Sequence, residues 1–300
     1  MIINVDTPRE GKTVKEILFS ELGLSRGQVV SLKNNDGIRV NGAHVTVRYI
    51  LKAGDILELD VEDREEDMNC HITPVSIPLD ILYEDDNVVC VNKPSGMPTH
   101  PSHNHHGDTL ANALAYYYEE KGIPFVFRAV NRLDRETSGV VLIAKNRAAA
   151  AKLGNALQRN QFEKSYYAVV CGAPRENKGV ITAYISRKEG SIIFRKASET
   201  GSPSEYAETH YEIKQTYDAY TLVELKPVTG RTHQLRVHMS YIGNPIYGDG
   251  LYGEESDSPL MLHAASLTFP LPEGNRITVT APIPTRFEIF RRKNEDKELS

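Results

Sequence analysis

The chain has 300 residues, 40% hydrophobic and 25% charged, enough for a real core in one large domain plus a small one. Its net charge of -5 argues at first against a polyanionic partner, and its three cysteines, Cys70, Cys90 and Cys171, form no C-x-x-C pair, so neither a disulfide framework nor a zinc knuckle is suggested. The N-terminus lacks the apolar core of a signal peptide and no apolar run reaches bilayer length, so a cytoplasmic protein with no membrane partner is expected.

In chain order, Val14, Ile17, Leu18 and Leu22 recur at helical spacing, with Thr13 and Glu16 as a capping box and Gly23 as the stop. Ser25 opens a second short helix through Val29, Val30 and Leu32, and residues 33–37 turn. Strands are expected at 38–40 and 45–47, joined through Asn41-Gly42 as a hairpin, and again at 56–59 after the turn Ala53-Gly54-Asp55. Residues 1–60 thus read as a compact unit. Ser25-Arg26-Gly27-Gln28-Val29, Val40-Asn41-Gly42 and Leu51-Lys52-Ala53-Gly54-Asp55 resemble the small alpha-L RNA-binding module. That resemblance implies RNA contacts through Arg26 and Lys33.

Residues 61–80 read as an acidic, Pro-containing linker, 81–290 as a larger catalytic domain, and 291–300 as a charged tail. In the larger domain a buried strand at 88–91 ends in the turn Lys93-Pro94-Ser95-Gly96. A helix over 109–121 has Asp108 as its N-cap. A strand at 139–144 leads into a helix capped by Asn146, with Ala149, Leu153 and Leu157 on one face. Strands follow at 165–170, 209–214, 220–226, 266–269 and 276–280. Many short strands with few helices predict an α+β fold: a mixed, mostly antiparallel central sheet with flanking helices and a cleft, plus the small N-terminal α/β module. No phosphate-cradling glycine loop is present, so no nucleotide cofactor is expected.

The charge is unevenly spread. Residues 128–236 hold 18 Lys+Arg against 11 Asp+Glu, a balance of +7, which leaves -12 for the rest. A basic centre can take phosphates while acidic flanks keep the chain in solution.

Two segments carry the chemistry. In Asn131-Arg132-Leu133-Asp134-Arg135-Glu136-Thr137-Ser138-Gly139 an aspartate stands between two arginines. A carboxylate with cations beside it can act as nucleophile or base. On its own, such an aspartate is as readily a turn cap or an arginine partner. The second segment, Gly230-Arg231-Thr232-His233-Gln234-Leu235-Arg236-Val237-His238, is crowded with donors. Arg231 could pair bidentately with a carboxylate or phosphate, and Arg236 and His238 suit phosphate contacts.

Together with Gly243-Asn244-Pro245-Ile246-Tyr247-Gly248-Asp249, these segments resemble the signature motifs of the Rlu-type pseudouridine synthases, typified by the large-subunit ribosomal RNA enzymes. Lys93-Pro94-Ser95-Gly96, Lys164-Ser165-Tyr166, Leu262-His263-Ala264 and Ala281-Pro282-Ile283-Pro284 match further family elements. The likeness runs in order from about residue 81 to 285. One departure is Asn131, where the family more often has histidine.

The resemblance implies isomerisation of specific uridines in RNA by base flipping, glycosidic cleavage and reattachment through C5. Asp134 attacks the nucleotide or removes a sugar proton, Tyr166 lies against the uracil, and Arg231 pairs with Asp134. Arg132 fills the gap left by the extruded base. Leu235, Arg236 and His238 complete the RNA-binding set. RNA is the expected partner, ribosomal first and transfer RNA second, for a monomer without cofactor or metal.

Two rivals remain at this point. A non-catalytic RNA-binding assembly factor would keep the small module without needing Asp134. A metal-dependent hydrolase would use His100, His103, His105 and His106, a loop that lacks the helical spacing of a metal motif.

Overall fold

Two sheets organise the chain. The computed structural model describes residues 1–22, 24, 26–60, 72–191, 193–254 and 257–288, with only the backbone at 26–28 and 31. The expected stop at Gly23, the start at Ser25, most of the linker and the tail lie outside these residues, as does the Arg26 side chain.

The small sheet runs β1-β4-β2-β3, all antiparallel, with β1 Ile2–Asn4, β2 Ile38–Val40, β3 Ala43–His44 and β4 Ile56–Leu59. Asn41 and Gly42 both take positive φ, 52° and 78°, which a two-residue hairpin turn of this hand requires. The returning strand ends at His44 rather than running over 45–47. Val47 and Tyr49 instead turn their carbonyls to the amides of Lys15 and Val14 at 2.8 and 2.9 Å, where they satisfy the orphan donors of helix α1, Val14–Glu16. The Thr13–Glu16 capping box forms as expected, and the helix continues as a wide π turn over Ile17–Glu21. With α2, Arg26–Asn34, it closes a core of Val14, Ile17, Leu18, Leu32 and Leu57.

The large sheet has eleven strands in the order β11-β10-β12-β13-β9-β14-β8-β6-β5, with β15 on β14 and β7 on β8. In chain order these are β5 Ile81–Glu84, β6 Val88–Lys93, β7 Arg128–Ala129, β8 Ser138–Ala144, β9 Glu163–Cys171, β10 Lys178–Arg187, β11 Arg195–Ser198, β12 Tyr206–Thr216, β13 Tyr220–Pro227, β14 Leu262–Pro270 and β15 Arg276–Thr280. Every pairing is antiparallel except β14 with β8, where His263 lies beside Ser138. The fold is therefore mixed α+β with a mostly antiparallel sheet, as expected.

Alternation in β6 and β8 feeds two cores. Val89, Val91, Val141 and Ile143 face α3, Leu110–Glu120, while Val88, Cys90, Val140 and Leu142 face α4, Arg147–Gln158. The N-cap of α3 is Thr109 rather than Asp108: Thr109 and Asn112 exchange side-chain to backbone bonds, and Asp108 turns instead to His105. Asn146 caps α4 as expected.

The parallel junction depends on Gly139. Its φ is 114°, and a Cβ there would overlap the Ala264 backbone. One helix was not anticipated, α5, Gln234–Tyr241, whose Leu235 and Met239 pack on Ala168, Val223 and Leu225. Strands β10 and β11 were also not anticipated. No described helix is long and apolar enough to cross a membrane.

The small unit docks on α4. Ala151 enters its core, and Asn155 and Arg159 donate to the carbonyls of Glu21 and Ser20 at 3.5 and 3.4 Å.

Candidate active site

The loop from Asn131 to Thr137 enters β8 beside a cleft of about 980 Å³. That is ample for a nucleotide and its neighbours. Six charged side chains line it: Arg132, Arg135, Lys164, Arg231, Arg236 and Asp134. The wall is thus strongly cationic around a single carboxylate, a match to a polyanion that the net charge of the whole chain conceals.

The Asp134 loop is held from beneath by the preceding turn. Lys93, fully buried, donates to the carbonyls of Pro94, Met97 and Arg135 at 2.9, 2.6 and 3.0 Å. Ser95 donates to the Glu136 carbonyl at 2.6 Å, the Gly96 amide to Arg135 at 2.9 Å, and Thr99 to Leu133 at 3.0 Å. Burial pulls the Lys93 ammonium down to about 7, against the charges of Glu136 and Asp134. Three carbonyl acceptors call for three N–H donors, so the bonding pattern is that of the protonated amine.

Asn131, the position of that departure, makes two bonds to β8. Its amide donates to the Val140 carbonyl at 3.2 Å and accepts from the Leu142 amide at 2.8 Å, which pins the loop entry to β8. A side chain that offers a donor and an acceptor suffices there.

The Asp134 side chain is one-third exposed, open to the cleft. Its Oδ2 lies 3.8 Å from Arg236 Nη1 and 3.8 Å from His233 Nε2. This corrects the expected Arg231–Asp134 pair. Arg231 is exposed on the rim, and its Nε donates to the Tyr206 carbonyl at 3.0 Å. Helix α5 explains the exchange. Arg231 precedes the helix and stays outside it, whereas Arg236 projects from its first turns into the cleft floor.

Arg236 is fixed by Asp249. Its Nε and Nη2 reach the two Asp249 oxygens at 2.8 and 2.6 Å, with both side chains buried. Burial opposes the guanidinium charge, but the hydrogen bonds and charge of Asp249 outweigh it, so its pKa is raised. Nη1 remains directed to Asp134. Asp249 is a site residue whose role sequence reading missed. The only signal was its place at the end of the Gly243–Asp249 motif.

Tyr166 lines the cleft on β9. Burial first, and the nearby Asp134 second, raise its pKa. Lys164, two residues earlier on the same face, is pulled down by burial. Gln234 knits the rim together: it accepts from Thr229 and the Arg231 amide at 2.7 and 2.9 Å and donates to the Glu208 carbonyl and Thr209.

The remaining expected residues divide. Arg132 is exposed on the cleft rim, with no hydrogen bond or ion pair to the described residues. Leu235 is buried in the cleft floor. His238 was expected to reach phosphate and does not line the cleft. It is fully buried, its Nδ1 beside Thr209 Oγ1 at 3.0 Å, and burial pushes it down to about 4. Arg236 too is committed inside the protein rather than set out for backbone phosphates. Lys33 is exposed on α2, and the Arg26 side chain lies outside the described residues. In the histidine loop, His105 bonds Asp108 at 2.6 Å, while His100 packs edge-on against Phe127 at the cleft.

Comparison with known proteins adds the following. A family model described as RNA pseudouridylate synthase matches residues 87–241. An uncharacterized RNA pseudouridine synthase of Bacillus subtilis, YjbO, is 39% identical over 91% of this chain and 95% of its own. A ribosomal large subunit pseudouridine synthase D of Borreliella burgdorferi is 33% identical over 91% of this chain and 85% of its own. Among solved structures, human RNA pseudouridylate synthase domain containing 1 superposes with a TM-score of 0.59 at 29% identity, covering 70% of this chain and 86% of that one.

Proposed function

Because the chain belongs to the RNA pseudouridine synthases, and is an enzyme that isomerises uridine in RNA, we propose that Asp134 is the carboxylate that opens the glycosidic bond of a flipped uridine. The observation that carries this is the placement of Asp134: the one carboxylate among the described residues lining a cationic cleft, within 3.8 Å of an arginine that Asp249 holds from behind. A guanidinium fixed on two sides can orient a carboxylate without moving itself, so little reorganisation is needed when the substrate arrives.

The flipped uracil lies between Asp134 and Tyr166. The tyrosine ring supplies a stacking face worth about 1–3 kcal/mol for a base. Its hydroxyl, kept protonated by burial and by Asp134, serves as a hydrogen-bond donor to the base or as the relay for the C5 proton. Extruding the base costs a few kcal/mol. Arg132, on the rim without a hydrogen-bond or ion-pair partner among the described residues, fills the vacated stack, while Lys164, Arg231 and Arg135 meet backbone phosphates. The unit of residues 1–60, fixed on α4, extends the grip through α2 and Lys33.

The substrate we propose is large-subunit ribosomal RNA. The support is that relatives 33% identical over most of their length carry that activity in their names. Such a substrate places the work in the cytoplasm. The proposed steps call for no cofactor and no second copy of the chain.

The test is chemical mapping of pseudouridines in total RNA from cells with the gene, without it, and with an Asp134→Asn copy. The expected result is one or more pseudouridines lost from large-subunit RNA in the deletion and not restored by D134N. Losses confined to transfer RNA would overturn the substrate assignment. Restoration by D134N would overturn the role of Asp134.

A further inference from the structure

Asp134 has a second neighbour besides Arg236, and that neighbour is the end of a chain of contacts. His233 adopts φ 57° and ψ 19°, a left-handed conformation uncommon outside glycine, though histidine enters it more readily than most. Backbone held in such a state is often serving the placement of its side chain. Here it carries Nε2 to 3.8 Å from Asp134 Oδ2 while Nδ1 meets the Tyr252 hydroxyl at 2.8 Å.

The Tyr252 hydroxyl can donate to the ring, and the ring proton is assigned on that basis. Its oxygen accepts the backbone N–H of Arg195 on β11 at 3.0 Å. A backbone amide can only donate, so the hydroxyl proton is free for His233 Nδ1. Burial, and the charge of Arg236, hold His233 below its ordinary value, against the pull of Asp134. A neutral imidazole that accepts at Nδ1 bears its hydrogen at Nε2, the atom facing Asp134.

Tyr252 also touches the other partner of Asp134. Its ring lies 5.3 Å from the Arg236 guanidinium carbon, and its amide joins that of Leu251 on Asp249 Oδ1 at 3.2 and 3.0 Å. One aspartate therefore anchors both Arg236 and Tyr252. On the far side, Phe194 packs edge-on against the same ring, at the foot of the β10–β11 hairpin.

We propose that His233 and Tyr252 are positioning residues for the uridine isomerisation: Tyr252 sets the tautomer and angle of His233, His233 donates to Asp134 as the site closes, and the pair registers the carboxylate to strand β11. The separation of 3.8 Å is that of a contact that shortens in the loaded enzyme, as catalytic hydrogen bonds commonly do. Neither side chain reacts with the nucleotide. Their effect is on where Asp134 points, and a misplacement of about 1 Å in such a group can cost on the order of 100-fold in rate.

The inference rests on Asp134 as the reacting carboxylate, and the experiment separates the two. Total RNA from cells lacking the gene, grown on uridine tritiated at C5, is the probe, and tritium release is followed with purified full-length variants. Tyr252→Phe keeps the ring under Arg236 and loses only the hydroxyl. His233→Leu removes the donor, and His233→Gln returns an N–H near the position of Nε2.

The expected results are a kcat about 10-fold lower for Y252F and lower still for H233L, KM within about twofold of wild type in both, and recovery of most of the rate by H233Q. If H233L does not fold, as judged by thermal melting, Y252F and H233Q carry the comparison. Wild-type kcat in Y252F and in the folded His233 variants, with D134N inactive, would overturn the positioning roles alone. Failure of H233Q to exceed H233L would do the same, since side-chain bulk rather than a donor would then matter. Loss appearing in KM with kcat intact would also overturn them. Full activity in D134N would instead remove the reading of Asp134 on which they stand.

Discussion

Arg236 and Arg231 lie five positions apart in one motif, and their fates differ because only one is built into the protein. Arg236 is buried with Asp249, and Arg231 is exposed with a single bond to a carbonyl. Asp249→Asn should leave a buried guanidinium without its counter-charge and destabilise the fold by about 3–5 kcal/mol, read from urea unfolding. Arg236→Lys keeps the charge but cannot hold two Asp249 oxygens and Asp134 at once, so kcat should fall by about 100-fold or more. Arg231→Lys should leave kcat near wild type and shift only KM. Sequence reading placed Asp134, Tyr166 and Arg132 in one site, and all three line the cleft, because motif residues cluster around Asp134. It chose the wrong arginine as partner, because a linear string of donors does not say which face of a helix each occupies.

That helix, α5, is where element-scale reading failed. Its buried positions include Gln234, Arg236 and His238, so polar residues hide the apolar period that would have revealed it. Only Leu235 and Met239, four apart, and the stop at Gly243 marked it. Strands β6, β8 and β15, apolar or regularly alternating, were legible, while β10 and β11, with many exposed polar positions, were not.

Two predictions belong at this scale. Gly139→Ala should cost about 2 kcal/mol or more, seen as a lowered melting temperature, since the new Cβ would run into Ala264 where the sheet turns parallel. His238, inside α5, has its ordinary value of 6.5 depressed to about 4 by burial. Between those values the unfolded chain takes up a proton that the folded chain refuses. Stability from this group is therefore intact above pH 6.5 and falls as pH drops towards 4, by on the order of 3 kcal/mol. His238→Asn should flatten that part of the pH dependence of the urea midpoint, and a slope unchanged from wild type would contradict the account.

Across the whole molecule, the net charge of -5 conceals a cleft with five cationic side chains and one carboxylate. RNA affinity should therefore fall steeply with salt, with a log–log slope of several, despite the acidic total. The run of short strands with few helices made the α+β class legible, and the order of motifs made the family so. The docking of residues 1–60 on α4 was not legible, because its contacts, Ala151, Asn155 and Arg159, lie off the apolar face of Ala149, Leu153 and Leu157 and two of them are polar. Deleting those residues should weaken RNA binding or alter site choice while Asp134 and its partners remain assembled.

The most direct measurement is single-turnover conversion of RNA by purified Asp134→Asn protein, alongside its RNA affinity. Affinity within a few-fold of wild type, with no pseudouridine formed, is the predicted result. Pseudouridine formed by D134N at a rate near wild type would contradict the account at its centre.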